Sequence, residues 1–348
     1  MAAKSIAVSS DDVTYHVLPG SSGDLNFEGA SESDTTFGAS FSSLQPTLVS
    51  WSASANAYYK GFAGYVANFK KSGTSTAVTG EAMSIVSGKT YKINDATKNV
   101  WDRTATIKVY DGVTDVTDQV ESVDHLFGQI TFLASYTVVG DVTVDVKYLP
   151  MSSVGTARDF SLTMNAESVD TTGFATAQAN GGYNTFIPGL KTVSLDASGF
   201  YSATNAFKDL VTARNEMIVE INPDGSNKSV ARGFFKAITT GQSGDVGGNE
   251  DETITFELSV PQPSSTVTAN VVTPFKWVHD ATTTLSQAVQ VVLNGWQNSS
   301  KIYVKYLSDG VAGYKGEAVV TDCSMSSAVD GVAEFSISLQ GSGTPSAV

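Results

Sequence analysis

The sequence predicts an all-β protein, on three observations. Val, Thr, Tyr and Phe are abundant while charged residues make up only 16% of the chain, against roughly a quarter in an ordinary soluble domain. Much of the surface must therefore be Ser, Thr, Gly and Asn, which favours short strands and tight turns. Apolar residues alternate with period two in several places, for example Ile254, Phe256, Leu258 and Phe335, Ile337, Leu339, the spacing of a strand with one buried face. The chain also matches itself twice over segments of this kind. At 348 residues two or three domains are expected, and 41% hydrophobic residues are enough to give each a core.

The first self-match sets Pro46, Leu48, Ser52, Ala55 and Tyr59 on Pro188, Leu190, Ser194, Ala197 and Tyr201 at constant offset. Upstream, Asp34-Thr35-Thr36 matches Asp170-Thr171-Thr172, and the segment between the anchors is longer in the second copy, as in a surface loop. This unit is the front half: a long loop, residues 33–47 or 169–186, leading into a strand, residues 48–59 or 190–201. The second self-match sets residues 205–261 on residues 284–341. Phe207, Leu210 and Val211 have helical spacing, and Leu285, Ala288, Val289, Val292, Leu293 and Trp296 hold one helical face for three turns. Thr284-Leu285-Ser286-Gln287 reads as a capping box that starts the later helix. Each helix precedes an alternating strand (217–221; 302–306), a turn at Asp224-Gly225 or Asp309-Gly310, a glycine-bearing strand (233–237; 316–320), a polar loop and a last strand. This is the back half.

The order front, insert, front, back, back points to one module nested in another, with sequential pairing and exchanged halves as the competing arrangement. The nested reading gives an outer module of residues 1–80 and 263–348, an inner module of residues 151–262, and an inserted β-domain of residues 81–150 facing outward. The insert has no repeat partner. Tyr91 and Ile93, then Ile107, Val109 and Tyr110, then Ile130 and Phe132, then Val142, Val144, Val146 and Tyr148 give it at least four strands, with a turn at Asp111-Gly112.

Chemistry finds little foothold. A formal charge of −14, from 21 basic and 35 acidic residues, disfavours tight nucleic-acid binding. Cys323 is the sole cysteine, which excludes an intrachain disulfide and a thiolate metal cluster and suits a reducing cytoplasm. The N-terminus lacks the apolar core of a signal peptide, and no run of about 18 apolar residues occurs, so neither export by the usual route nor a membrane span is expected. His16, His125 and His279 fall at no metal-ligand or triad spacing. Residues 241–248 are glycine-rich but lack the following Lys-Ser/Thr pair of a phosphate loop and read as a flexible connection. Asp111, Asp115 and Asp118, and Asn222, Asp224 and Asn227, lack the glycine and distal glutamate of a calcium loop and read as solvated turns. Neither an enzyme nor a bound metal or cofactor is expected.

The back half, and above all Gly316-Glu317-Ala318-Val319-Val320-Thr321 with Val329-Asp330-Gly331-Val332-Ala333-Glu334-Phe335-Ser336-Ile337-Ser338-Leu339-Gln340-Gly341-Ser342-Gly343, resembles the C-terminal part of the tail tube proteins, or major tail proteins, of long-tailed bacteriophages. The front half is similar to the same family's N-terminal part, and together the likeness covers about three quarters of the chain. It implies two β-sandwich modules, each with one short helix, whose sheets join those of neighbours into a ring-forming β-barrel. It implies a structural virion protein whose rings stack into a tail tube for DNA ejection. Its partners would be further copies of itself and the tail-end proteins, with DNA passing unbound through the lumen and no membrane contact. Synthesis in the host cytoplasm and residence in the virion tail follow. On this likeness Asp34, Thr35, Thr36 and Phe37, with Asp170, Thr171, Thr172, Phe174 and Tyr183, are the residues expected at contacts between rings. The alternative is a virion or cell-surface β-sandwich that binds glycan or protein through its loops.

Overall fold

A computed structural model of the chain describes residues 4–36, 41–58, 68–153, 157–200, 207–222, 228–244, 250–259, 273–280, 282–283, 285–327 and 333–348. Strands dominate and the helices are few and short, so the fold is all-β. The chain forms two compact units, residues 1–65, 158–197 and 279–348 in the first and residues 66–157 and 198–278 in the second.

In the first unit Ser5–Ser9 runs antiparallel between His16–Val17 and Ile302–Leu307. Ile302–Leu307 forms a hairpin with Gly313–Ser327, turned by Asp309, whose carboxylate accepts the N–H groups of Val311 and Ala312 at 2.9 and 2.7 Å. Gly310 takes φ +82° in that turn, a backbone conformation that suits glycine. Gly313–Ser327 then pairs with Glu334–Ala347, which pairs with Leu44–Tyr58, which pairs with Gly20–Ser33. Ala157–Asp170 adds to Gly313–Ser327 from Phe160 opposite Ser327 to Asn165 opposite Asp322, and residues 158–197 count in this unit for that reason.

The helix Gln287–Gln297 lies on Gly313–Ser327 and Ser5–Ser9. Its apolar residues recur at helical spacing, and Ala288, Val289, Val292, Leu293 and Trp296 are all buried. Its start differs from the expected capping box. Ser286 is the N-cap, its hydroxyl accepting from Val289 N at 3.3 Å, and Gln287 is already the first helical residue; Thr284 lies outside the described residues.

The second unit contains a seven-stranded sheet, in order Val120–Asp124, Gln129–Phe132, Thr90–Ile93, Thr76–Ser87, Val142–Tyr148, Lys108–Asp111 and Thr114–Asp115. It folds round Trp101, Val109, Ile130, Phe132 and Val144. The remaining strands run Met151–Ser153, Asn68–Ser72, Met217–Asn222, Ser229–Gly244, Glu250–Leu258, with Phe275–His279 beside Ser229–Gly244. The helix Phe207–Ala213 packs on Ser229–Gly244 and Glu250–Leu258. Helix, hairpin, loop and strand thus follow one another in the same order in both back halves. Val100, Leu126 and Phe127 of the insert form one buried cluster with Ile218, Val230 and Phe234, so the insert shares a core with the strands beside it as well as having its own. Residues 241–244, expected in a flexible connection, belong to Ser229–Gly244 and pair one by one with Thr253 to Glu250, since the ladder is made by backbone groups that Gly and Ser carry like any other residue.

Candidate functional site

In the front half of the first unit the expected strand belongs to Leu44–Tyr58 and forms a long hairpin with Gly20–Ser33, so that Ser33 and residues 44–47 of the expected loop are in strands while residues 34–36 and 41–43 are not. Gly20–Ser33 and Leu44–Tyr58 stay paired out to Ser33 opposite Leu44. Beyond Phe27 the ribbon leaves the body: residues 26–36 and 41–47 are exposed on both faces. At its tip Asp34 N donates to Ser43 O at 3.1 Å. The Asp34 carboxylate, held below the usual range by hydrogen bonds from Ser43 and Gln45, accepts from Gln45 Nε2 at 2.7 Å. Thr35 Oγ1 accepts from Ser43 N at 2.8 Å. Thr36 is exposed and Phe37 lies outside the described residues. Phe41, 88% exposed, and Leu44, 61% exposed, put apolar side chains on this polar frame.

The corresponding segment of the second copy turns back onto its own chain. Asp170 accepts from Thr172 N at 2.7 Å and from Asn184 Nδ2 at 3.2 Å, bonds that hold its carboxyl below the usual range. Thr171 N donates to Thr185 O at 2.9 Å, and Thr172 Oγ1 accepts from Thr185 N at 2.9 Å. Between these rungs stands the short helix Phe174–Ala179, where the sequence predicts only loop. Phe174 is 100% exposed.

Past the helix the chain wedges into a fork. Leu44–Tyr58 and Glu334–Ala347 pair as far as Ser52 opposite Gln340 and then part. Tyr183 enters beside Val49 in a parallel bridge: Val49 N donates to Gly182 O and Asn184 N donates to Val49 O, both at 2.9 Å. On the other side Gly343 N donates to Asn184 O at 2.8 Å and Phe186 N donates to Ser342 Oγ at 2.9 Å. The Thr344 hydroxyl donates to Asn180 O. Trp51 fills the fork from below. Its indole is buried and donates to Gly343 O at 2.9 Å, and a Cβ on Gly316 would lie 2.7 Å from its Cζ2, with one on Gly341 closer still to the ring.

Of the residues expected at contacts, Tyr183 is thus committed to its own chain and Phe174 projects from it. Among the described residues no hydrogen bond joins residues 34–36 to residues 170–172. Sequence reasoning missed Trp51, Asn184, Ser342 and Gly343. Gly341-Ser342-Gly343 was the available signal, since small residues in a strand mark a close approach.

Cys323 is fully buried, which pushes its thiol far above the ordinary range. His125 is buried, and burial pulls its imidazole down to about 4; burial also lowers His279. Asp111 accepts from Tyr136 Oη at 2.7 Å and Val139 N at 2.8 Å and so closes a turn. Asp115 accepts from Thr117 Oγ1 at 2.6 Å, and Asn222 is buried in a strand. Asp224 and Asn227 lie outside the described residues. Among the described residues no group of three His, Cys, Asp or Glu side chains could hold a metal ion, and no helix is long and apolar enough to cross a membrane.

No protein-family model and no curated protein matches the chain. Among solved structures it is similar to a chain from the tail of an empty GTA particle, obtained by helical refinement with C6 symmetry. That match has 15% identity, 32% of this chain covered, 84% of the other, and a TM-score of 0.28. It is also similar to a chain of the virion of the native gene transfer agent, at 16% identity, 33% and 87% coverage and TM-score 0.28. At that TM-score neither likeness says what this chain does.

Proposed function

We propose that the chain is a structural virion protein that polymerises as stacked rings into a phage tail tube. The observation that carries this reading is the hairpin arm, exposed on both faces over residues 26–36 and 41–47. An isolated two-stranded ribbon is marginal in water, and one carrying Phe41 and Leu44 in the open gains most by lying on a neighbour. Gly20–Ser33 also has a single partner strand among the described residues, which leaves an edge that ring closure would cover. Leu44–Tyr58 pairs with Glu334–Ala347, the first front half with the last back half, which supports the nested arrangement of two modules. The net charge of −14 suits a conduit, since phosphate contacts create the salt-dependent grip that a DNA channel must avoid. No catalytic group or cofactor is needed for this role. Negative-stain microscopy of the concentrated protein tests it: rings or tubes are expected, and they should vanish when residues 30–47 are replaced by a two-residue turn. Monodisperse particles at all concentrations would overturn it.

A further inference from the structure

We infer that the second unit carries a binding site for a small multivalent oxyanion, a phosphate ester or a polycarboxylate, in the cavity lined by Lys92, Arg232 and Tyr148. This goes beyond the tube reading and does not depend on it. The cavity measures about 570 Å³, within the range of small-molecule sites. Lys70, Lys92, Arg232 and Glu220 are its charged lining residues. Two positive charges are therefore in excess, in a chain whose formal charge is −14.

The one carboxylate is spent. Glu220 Oε1 accepts from Lys70 Nζ at 2.7 Å, and Oε2 accepts from Arg232 Nε at 2.7 Å and lies 2.6 Å from its Nη2. Arg232 is held further by Nη1, which donates to Asn99 Oδ1 at 2.9 Å and to Leu126 O at 2.6 Å, and its guanidinium lies over the Phe127 ring at 4.8 Å. It is a fixed, buried positive charge with its donors engaged. The nearby Lys276 is neutralised by Asp124 at 2.6 Å.

Lys92 is left over. Among the described residues its ammonium has no hydrogen bond or ion pair, and burial, then the neighbouring Arg232, hold it below the usual lysine range against the weaker opposing pull of the Asp124 carboxylate, which is itself paired with Lys276. A lone, partly desolvated ammonium beside a fixed guanidinium is costly unless an anion completes the set. Asn99 and Tyr148 also line the cavity; Asn99 Nδ2 and the Tyr148 hydroxyl have no partner among the described residues and are of the kind that donates to oxyanion oxygens. Phe127, Pro150, Met151, Val230 and Val278 wall the rest, so the oxyanion can be the head of a small organic molecule.

Titration calorimetry of the full chain at low ionic strength tests the site, with inorganic phosphate and citrate as probes. Saturable binding of at least one probe is expected, and the better probe identifies the phosphate or the carboxylate source. Lys92 is half-exposed and lies at a strand surface, so Lys92→Met should fold normally and lose about tenfold or more in affinity, the worth of a charge-assisted bond. Lys92→Arg should retain most of the binding, and Lys108→Met, an exposed control, all of it. No heat from either probe up to about 10 mM, or equal affinity in Lys92→Met and the native chain, would overturn the inference.

Discussion

Trp51 and Gly341 are fitted to each other. The indole occupies the space that any Cβ at Gly341 would need, and its Nε1–H satisfies Gly343 O in a buried fork. Gly341→Ala should therefore destabilise the native chain by about 1–3 kcal/mol through overpacking. Trp51→Val, which installs the residue that its repeat partner Val193 carries, should cost on the order of 3 kcal/mol as a large-to-small change. The double variant should be far less destabilised than the sum, because Trp51→Val vacates the space that the added methyl group of Gly341→Ala enters. Denaturant unfolding of the four proteins measures this, and strictly additive losses would contradict the geometry. His125 gives a pH signature of its own. Its folded pKa lies near 4 against an ordinary 6.5, so its neutral form contributes stability that is fully present above about pH 6.5 and is lost as the pH falls towards 4. Between pH 7 and 5 the native chain should lose about 2 kcal/mol by this route, and His125→Leu should show a correspondingly flatter fall. Neither the Trp51 fit nor the buried imidazole could be read from the sequence, since each depends on partners far along the chain or on burial alone.

At the scale of elements, legibility followed the burial pattern. The helix Gln287–Gln297 and the strand Glu334–Ala347 were readable because each buries one face, so its apolar residues recur at 3.6 or at 2. The outer arm carries no such pattern. With both faces exposed, Ser, Thr, Glu and Gly can occupy it in any order, and its outer part, residues 33–47, read as loop. The helix Phe174–Ala179 escaped for the same reason, having no buried residue. Those two elements are where contact with another copy is expected. Phe174→Asp tests this without touching the wedge at Tyr183 and Asn184: the melting temperature should stay within about 2 °C, as for an exposed substitution, while tube formation is lost. Normal tubes from Phe174→Asp would remove the helix from the contact. A deletion of residues 175–183 would not isolate the helix in this way, because it would also withdraw Tyr183 from Val49 and open the fork.

For the whole molecule, the proposed tube reading takes one chain as two modules, a proposal supported by the repeat order and by the matching element order of the two back halves. A closed ring is fixed by the angle between neighbouring interfaces. If six modules close it, three chains suffice, and the differences between copies, such as Trp51 against Val193, would reduce sixfold to threefold symmetry. The all-β class was legible because it rests on composition and spacing. The shared core of the insert, with Leu126 and Phe127 against Ile218 and Phe234, was not, because contacts between segments about a hundred residues apart leave no local period. The most direct test of the account is the mass of an isolated ring by native mass spectrometry. Three chains are predicted, about 110 kDa at 36.5 kDa each. Six chains would contradict the two-module reading, and a chain that stays monomeric at every concentration would contradict the tube itself.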